Sequence, residues 1–263
     1  MKDILSDIVA HKRVEVAAQK AIYPLDTICR EIERNTYKTL SLHEALAKDD
    51  FGIIAEFKRK SPSKGWIHRD ADVREVTTSY RQNGAAALSV LTDEAFFGGS
   101  LADLDAVVAE SDIPVLRKDF IVDEYQIYEA KLHRANAILL IAAAITKAEC
   151  LRFTEIARQL ELDVLLELHD EREIEYIIPQ HSLIGVNNRN LGSFVTTVDK
   201  SFEMAELLPK NAVLVSESGI SDPQTVRQLR QVGYRGFLIG ENFMKNGTPG
   251  ESLAEFIQSL QAS

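Results

Sequence analysis

An acidic and a basic side chain lie two positions apart at the end of an apolar run near the start of the chain. Residues 54–65 read IAEFKRKSPSKG, with Glu56 and Lys58 ahead of a Ser/Pro/Gly turn. Side chains alternate faces along a β-strand, so both would point the same way as Ile54. A buried carboxylate and ammonium are costly unless they are paired or have a role. The pair is a candidate for acid–base chemistry, and a structural ion pair at a strand end is the alternative.

The same arrangement, an apolar run with polar residues at its carboxyl end, recurs along the chain. Further examples are 115–120 (VLRKDF), 165–169 (LLELH), 185–190 (GVNNRN) and 213–219 (VLVSESG). Strand alternation allows six polar side chains to point toward one place: Glu56, Lys58, Lys118, Glu167, Asn187 and Arg189. Lysines, an arginine and glutamates around one basin suit an anionic substrate that undergoes acid–base catalysis.

The spacing of the apolar runs predicts the elements that would position these side chains. The runs begin near Ile53, Ala86, Pro114, Ala137, Asp163, Leu183, Ala212 and Gly236, with amphipathic helical segments between them. Helix-length connections between short buried strands predict a parallel sheet. Eight such units, with no dinucleotide-binding fingerprint after the first strand, favour an α/β fold of the (β/α)8 TIM barrel type over a doubly wound sheet.

The first part of the chain carries a different pattern. Residues 1–50 have apolar residues at helical spacing, such as Ile4 with Ile8 and Ile28 with Ile32. We expect extra N-terminal helices that pack on the barrel, within a single domain of residues 1–263. Farther along, Thr146 followed by Glu149 predicts a capping box, and Asp222 before Pro223 predicts another helix start.

Two glycine-containing loops predict a phosphate site. Residues 216–221 (SESGIS) follow the seventh run, and residues 238–243 (LIGENF) follow the eighth. Glycine allows backbone amides to approach an anion, and the loops after strands seven and eight are the recurrent phosphate site of this fold. The alternative is that Gly219 and Gly240 only form tight turns.

Composition narrows the possible partners. The chain has 30 Lys and Arg against 40 Asp and Glu, a formal net charge of −10, which argues against nucleic-acid binding through a broad basic face. No run approaches the roughly 18 apolar residues of a membrane span. The N-terminus shows acidic and periodic apolar residues in place of a cleavable apolar core, so we expect a cytoplasmic protein with no membrane partner.

Cysteine and histidine usage predicts no metal site. Cys29 and Cys150 are far apart without metal-ligand spacing, and the six histidines also lack it. His169 follows Glu167 by two positions and could face the same basin, but a histidine at a loop edge is more often solvated.

At these residues the chain resembles the indole-3-glycerol phosphate synthase family, barrel enzymes of tryptophan biosynthesis. The resemblance rests on residues 54–65, 89–94, 97–100, 116–120, 166–169, 184–191, 216–220 and 237–240, which follow the family's order. It implies ring closure of 1-(2-carboxyphenylamino)-1-deoxyribulose 5-phosphate to indole-3-glycerol phosphate, with loss of carbon dioxide and water. The partner is then a small anionic phosphorylated substrate, and no cofactor is implied. We expect a monomer or a weak homodimer.

The resemblance also assigns roles to individual residues. Lys118 resembles the general acid, Lys58 the lysine that contacts the substrate carboxylate, and Glu167 the acid–base glutamate. The catalytic residues are predicted to be Glu56, Lys58, Lys118, Glu167, Asn187 and Ser218. The substrate-binding residues are predicted to be Ser61, Phe97, Phe120, Arg189, Glu217, Gly219, Gly240 and Glu241.

Several expectations follow from these assignments. We expect burial and neighbouring cations to lower the pKa of Lys118 from ~10.4 to around 7.5 to 8. Phe97 and Phe120 match apolar walls for the aromatic ring, although Phe97 could instead face the core. Members of the family often carry serine where this chain has Glu241, so we expect phosphate to contact the backbone amide, with the carboxylate turned outward.

Two other functions are compatible with the same residues. A class I aldolase-like barrel would form a Schiff base between a sugar phosphate and Lys118 or Lys58. A catalytically silent barrel would act as a subunit or a ligand-binding scaffold, but the intact Glu56, Lys58, Lys118 and Glu167 argue against it. Within the ring-closure assignment, which lysine serves the dehydration step is open.

Overall fold

Eight parallel strands close into a barrel in this protein, whose structure is a computed structural model describing residues 4–35, 37–190, 195–245 and 247–262. Leu191, the last residue of one segment that carries the family resemblance, lies outside the described residues. The strands are β1 (Ile53–Phe57), β2 (Lys60–Ser61), β3 (Gly65–Trp66), β4 (Ala87–Leu91), β5 (Val115–Lys118), β6 (Ala137–Ile141), β7 (Asp163–Leu168), β8 (Leu183–Asn187), β9 (Val213–Glu217) and β10 (Tyr234–Ile239). The barrel order is β1-β10-β9-β8-β7-β6-β5-β4, and β2 and β3 form a separate antiparallel hairpin.

The sequence prediction of a (β/α)8 barrel is confirmed. Each of the eight apolar runs contains one barrel strand, and α-helices lie between successive barrel strands, except that a 3₁₀ turn at Glu171–Tyr176 connects β7 to β8. The last strand begins at Tyr234, two residues before the predicted start at Gly236, where the register with β9 shifts.

The helices are α1 (Ile4–Ile22), α2 (Leu25–Arg34), α3 (Leu42–Lys48), α4 (Val73–Gln82), α5 (Glu94–Phe97), α6 (Leu101–Val108), α7 (Tyr125–Leu132), α8 (Lys147–Gln159), α9 (Asp199–Ala205), α10 (Pro223–Gln231), α11 (Glu241–Met244) and α12 (Pro249–Gln261). Short 3₁₀ turns follow β6 at Ala142–Ala144 and β7 at Glu171–Tyr176. The capping box predicted from Thr146 and Glu149 is present at α8, and Asp222 accepts a hydrogen bond from Gln224 N at the start of α10.

Apolar residues form two layers around the strands. One layer lies between the strands and the surrounding helices. The other fills the barrel interior and includes Ile54, Leu116, Leu139, Leu165, Leu183, Val215 and Leu238. Leu42 and Leu46 of α3, both fully buried, join the interior layer. Helix α3 packs beneath these strands and closes the amino-terminal end of the barrel. The carboxyl end of the barrel stays open.

Three helices precede β1 and pack against the barrel. Ile28 of α2, Val16 of α1 and Tyr125 of α7 form a buried cluster, and the Tyr125 hydroxyl donates a hydrogen bond to Tyr23 O. Ile8 of α1 is buried as well. None of the helices in the described ranges combines the length and apolar character needed to cross a bilayer.

Candidate active site

A cavity of about 650 Å³ opens at the carboxyl ends of the barrel strands. The predicted site residues on its wall are Glu56, Lys58, Phe97, Lys118, Phe120, Glu167, Asn187, Arg189, Ser218, Gly219, Gly240 and Glu241. The other two, Ser61 and Glu217, are each 1% exposed and lie behind that wall. Residues from seven of the βα units therefore meet at one place, as strand alternation predicts.

Lys118 is the centre of the charged half of the cavity. It is the last residue of β5, and its Nζ lies 2.6 Å from Glu217 Oε2 and 3.3 Å from Glu167 Oε2. Both carboxylates are almost fully buried, at 1% and 3% side-chain exposure. An ammonium that donates to two buried carboxylates is held in one position and remains charged.

The expectation that the pKa of Lys118 is lowered is wrong. Burial by itself would lower this pKa, but the carboxylates of Glu217, Glu167 and Glu56 outweigh burial and raise it above its ordinary value. The sequence-based argument placed cations beside Lys118, whereas the side chains that form ion pairs with it, Glu167 and Glu217, are anions. Lys118 is thus a protonated acid at neutral pH.

Glu167 and Glu217 have shifts of opposite direction. Burial raises the pKa of Glu217, and the neighbouring Glu167 adds to this rise despite the opposing charge of Lys118. For Glu167, burial is outweighed by Lys118 and His169, so its pKa lies below its usual range. Two close carboxylates that share one cation favour different protonation states, which is the arrangement that acid–base catalysis uses.

Gly185 on β8 makes room for the Glu217 carboxylate. A Cβ at position 185 would lie 2.2 Å from Glu217 Oε1, so a larger residue there would displace this side chain. Glu217 is the last residue of β9, and its register partner on β8 is Asn187. The glycine in the GVNNRN run therefore serves the charged site on the neighbouring strand.

Glu56 and Lys58 form the pair that the sequence singles out. Lys58 Nζ donates to Glu56 Oε1 at 2.6 Å, and their side chains are 13% and 5% exposed. Glu56 also contributes to the charge around Lys118. Lys58 and Lys118 thus both interact with the Glu56 carboxylate.

His169 is a site neighbour that the sequence analysis considered for the same basin but interpreted as solvated. Its side chain is 8% exposed, so the interpretation as a solvated loop residue is wrong. Nε2 lies 3.1 Å from Glu167 Oε1, and Nδ1 lies 3.9 Å from Glu173 Oε2. Glu173 also accepts a hydrogen bond from His169 N. The available signal was the two-residue spacing from Glu167, which places both side chains on one strand face.

The opposite half of the cavity is apolar. Phe97 and Phe120 lie with ring centroids 5.8 Å apart and planes tilted by 37°. Ile4, Leu5 and Ile8 of helix α1 line the same cavity. This wall can accept a flat aromatic group, because offset or tilted rings pack favourably at such distances.

The loop after β9 has an unusual backbone. Ser218 and Gly219 adopt positive φ angles of 68° and 76°. Asn188, which is 1% exposed, fixes this turn because its Nδ2 donates to Ser218 O at 3.0 Å. Consecutive N–H groups in such turns form concave anion sites.

Cationic side chains surround the same end of the cavity. Lys64, Arg189 and Lys245 all line it, and Arg189 donates to Ser63 Oγ at 2.9 Å. Gly240 directly precedes the short helix α11 and also lines the cavity. Positive charges and a turn of this kind favour a bound anion locally, even on a protein of negative net charge.

Glu241 does not turn its carboxylate away from this site. Its Oε2 lies 3.5 Å from Arg189 Nη2 and its Oε1 lies 3.8 Å from Lys64 Nζ. The side chain is 34% exposed and forms part of the cavity wall. The expected outward orientation is therefore wrong, because two cations at the rim attract the carboxylate.

Within the described ranges, no group of three or more His, Cys, Asp and Glu side chains is arranged to hold a metal ion.

Asn187 Oδ1 accepts a hydrogen bond from Arg189 N at 3.0 Å. Asn187 lines the cavity, so its amide NH₂ group is a candidate donor to a ligand.

Comparisons with known proteins agree with this geometry. Residues 5–257 match the family described as indole-3-glycerol phosphate synthase. A relative of that name from Bacteroides thetaiotaomicron is 53% identical over 261 residues, covering 99% of this chain and 100% of the relative. One from Verminephrobacter eiseniae is 42% identical and covers 97% of this chain and 98% of the relative.

Among solved structures, the chain is similar to a mutant tryptophan synthase alpha-subunit from Pyrococcus furiosus. The TM-score is 0.59 at 15% identity, covering 82% of this chain and 99% of that one. At this identity the likeness concerns the fold alone, and it agrees with the closed barrel described above.

Proposed function

The chain belongs to the indole-3-glycerol phosphate synthase family, and we propose that Lys118 is the general acid of its ring-closing reaction. The enzyme is a carboxy-lyase that converts 1-(2-carboxyphenylamino)-1-deoxyribulose 5-phosphate to indole-3-glycerol phosphate, carbon dioxide and water. The observation that carries the proposal is the protonated Lys118 held on the cavity wall between Glu217 and Glu167, across from the apolar wall.

The substrate has three groups to place. We assign its phosphate to the backbone around Ser218, Gly219 and Gly240, supported by the positive-φ turn and the nearby cations. Its aromatic ring lies against Phe97 and Phe120, and Lys58 contacts its carboxylate. Asn187 and Arg189 bind the carboxylate or the developing hydroxyl.

Ring closure requires one proton transfer. The ring carbon that bears the carboxylate attacks the ribulose carbonyl carbon, and Lys118 donates a proton to the carbonyl oxygen as the new C–C bond forms. The C–CO₂ bond then breaks, and its electron pair restores the aromatic ring. Glu56 keeps Lys58 in place through their 2.6 Å hydrogen bond during these steps.

Dehydration needs a base and an acid together. Glu167, whose pKa is held low, takes a proton from the carbon beside the nitrogen. The hydroxyl leaves as water with a proton from one of the two ammonium groups, Lys58 or Lys118. The double bond that forms completes the indole. No metal or organic cofactor takes part in this proposal.

The charge state of Lys118 also distinguishes this proposal from a Schiff-base aldolase. A nucleophilic lysine must lose its proton, but three carboxylates raise the pKa of Lys118. Borohydride treatment with a ketose phosphate should leave every lysine unlabelled. Labelling of Lys118 or Lys58 would favour the aldolase.

The experiment that tests the function is a fluorescence assay with the purified chain. Addition of the anthranilate-linked substrate should produce indole fluorescence at a rate proportional to enzyme concentration, with release of one carbon dioxide per product. Inorganic phosphate should inhibit competitively, because it binds at the site assigned to the substrate phosphate. Absence of indole formation by folded protein would overturn the assignment.

We also propose that residues 1–263 form one domain with residues 1–50 as a helical extension, and that the enzyme is a cytoplasmic monomer or weak homodimer. The buried contacts of α1 and α2 with α7 support the single domain, and the bacterial relatives of this family support the cytoplasmic location. Sedimentation analysis over a range of concentrations measures the oligomeric state.

A further inference from the structure

Helix α1 buries a lysine that the reaction scheme does not use. Lys12 is 1% exposed, and its Nζ lies 3.0 Å from Asp93 Oδ2, 3.2 Å from Asp119 Oδ1 and 3.0 Å from Glu15 Oε1. These four residues are called the Lys12 cluster below. Burial would lower the pKa of Lys12, but Asp119 and Asp93 outweigh it and keep the ammonium charged. An ammonium buried among carboxylates of separate elements ties those elements together.

One carboxylate of the cluster shapes the loop that carries Phe97. Asp93 is fully buried and directly precedes α5, which ends at Phe97. Its Oδ1 accepts a hydrogen bond from Phe96 N at 2.8 Å, and its backbone carbonyl accepts one from Gly99 N at 2.9 Å. Asp93 therefore fixes the backbone on both sides of Phe97.

The other carboxylate shapes the loop that carries Phe120. Asp119 Oδ1 accepts a hydrogen bond from Phe120 N at 2.8 Å, and its Oδ2 accepts from Thr92 Oγ1 at 2.6 Å. Arg117 also pairs with Asp119, at 3.1 Å. Arg117 already neutralises the negative charge of Asp119, so neutralisation alone does not explain why Lys12 contacts Asp119.

Lys12 is on the same helix as three apolar residues of the cavity wall. Ile8 is one helical turn before Lys12, and Ile4 and Leu5 lie about one turn further; all three line the cavity. The Lys12 cluster thus connects three parts of the apolar wall: the start of α1, the loop of Phe97 and the loop of Phe120.

We propose that Lys12 is a positioning residue for the aromatic half of the substrate, holding α1, Phe97 and Phe120 in the arrangement that encloses the carboxyphenyl ring. The inference rests on the proposed function for the identity of that ring. It goes beyond that function because Lys12 itself does not line the cavity. If Lys12 only stabilised the fold, replacing it would lower stability but would not weaken aromatic binding more than phosphate binding.

The test replaces Lys12 with methionine, which is similar in length but uncharged. We expect KM for the substrate and the Kd of anthranilate to rise about tenfold, because misplaced walls weaken ring binding. The inhibition constant of inorganic phosphate should change less than about twofold, since that site lies on other loops. The matched control is Lys20→Met, because Lys20 is also on α1 and pairs with Asp123 at 2.9 Å, but is 40% exposed.

Two further variants keep the test decisive if Lys12→Met does not fold. Lys12→Met with Asp93→Asn removes the unpaired carboxylate and keeps a residue type that caps helices well. Lys12→Arg keeps the charge, so it should raise the anthranilate Kd less than methionine does. Unchanged anthranilate and substrate binding in the folded variants, or equal weakening of anthranilate and phosphate, would overturn the proposal.

Anthranilate binding is measured by titration and does not require turnover. If the wild-type enzyme produces no indole, the proposed function is wrong. If the wild-type enzyme produces indole and Lys12→Met binds anthranilate as the wild type does, only the role of Lys12 is wrong.

Discussion

Lys118 donates a 2.6 Å hydrogen bond to Glu217, a residue 99 positions later in the chain. Glu217 is behind the cavity wall, yet it sets the charge of a residue on that wall. The general acid and its supporting carboxylate come from β5 and β9, so only the closed barrel brings them together.

The first prediction concerns the alkaline side of the pH profile. Because carboxylates raise the pKa of Lys118, kcat/KM should show no loss from Lys118 deprotonation below about pH 9. In the alkaline range Glu217 is ionised despite its raised pKa, so Glu217→Gln removes one negative charge there and should move this loss to lower pH by about one to three pH units. A profile from pH 6 to 10 measures it, with the exposed Glu203→Gln as the control. An unchanged profile in Glu217→Gln would contradict the role given to Glu217.

The second prediction uses the close approach of Gly185 to Glu217. In Gly185→Ala the new Cβ would lie 2.2 Å from Glu217 Oε1, so the carboxylate must shift from its present position beside Lys118. We expect kcat to fall by about tenfold to a hundredfold, since small misplacements at a reacting site have large effects. Glu217→Asp in the same protein should restore part of the activity, because the shorter side chain fits beside alanine.

Gly247→Ala is the matched control for this substitution, because an added Cβ there meets no atom within 4 Å. Steady-state kinetics and thermal unfolding of both variants separate lost activity from lost stability. Full activity in Gly185→Ala would show that the position of Glu217 is not needed.

The third prediction concerns Glu241. Its carboxylate lies near Arg189 and Lys64 at the end assigned to phosphate, where it repels an anion and occupies both cations. Glu241→Ser should lower KM by about threefold to tenfold, an effect of ~1 kcal/mol typical of an exposed ion pair. Glu241→Gln separates the effect of charge from that of size. A higher KM in both variants would mean that the carboxylate assists binding.

The fourth prediction concerns stability and His181, which is 5% exposed and distant from the reaction scheme. Its Nδ1 accepts from Ile178 N and its Nε2 meets Thr154 Oγ1 at 2.8 Å, so the folded protein holds the neutral ring. Burial lowers the pKa of His181 to about 4. The contribution of the neutral ring to the free energy of unfolding is fully present above pH ~6.5 and is lost as the pH falls toward 4.

Urea unfolding between pH 7 and pH 4 tests this statement. The wild-type free energy of unfolding should fall by roughly 2 to 3 kcal/mol more than that of His181→Gln, since only the histidine takes up a proton on unfolding. Parallel pH dependences of the two proteins would exclude His181 as the cause.

Much of the fold was predictable because its signals are local. Strands of a parallel sheet are buried on both faces, so they appear in the sequence as apolar runs. The capping box of Thr146 and Glu149 lies within four residues, so it can be read directly from the sequence. Alternation along each strand was sufficient to place Glu56, Lys58 and Lys118 on one cavity.

The features that the sequence did not predict depend on distant partners. The pKa of Lys118 is set by Glu217 and Glu167, whose distances in space cannot be read from the chain. Lys12 shares a helical face with Ile8, but a single lysine on a stripe is usually solvated, and its two aspartates lie more than 80 positions away. The start of α3 has a local signal, Ser41 followed by Glu44, but nothing in these residues indicates that the helix closes the barrel.

The central claim is that Lys118 supplies the proton for ring closure, and Lys118→Ala tests it most directly. With folding confirmed by circular dichroism and phosphate inhibition unchanged, kcat should fall by about a thousandfold, within the range for loss of a general acid. Retention of more than about a tenth of wild-type kcat would contradict the claim, since a positioned general acid typically contributes at least about a hundredfold.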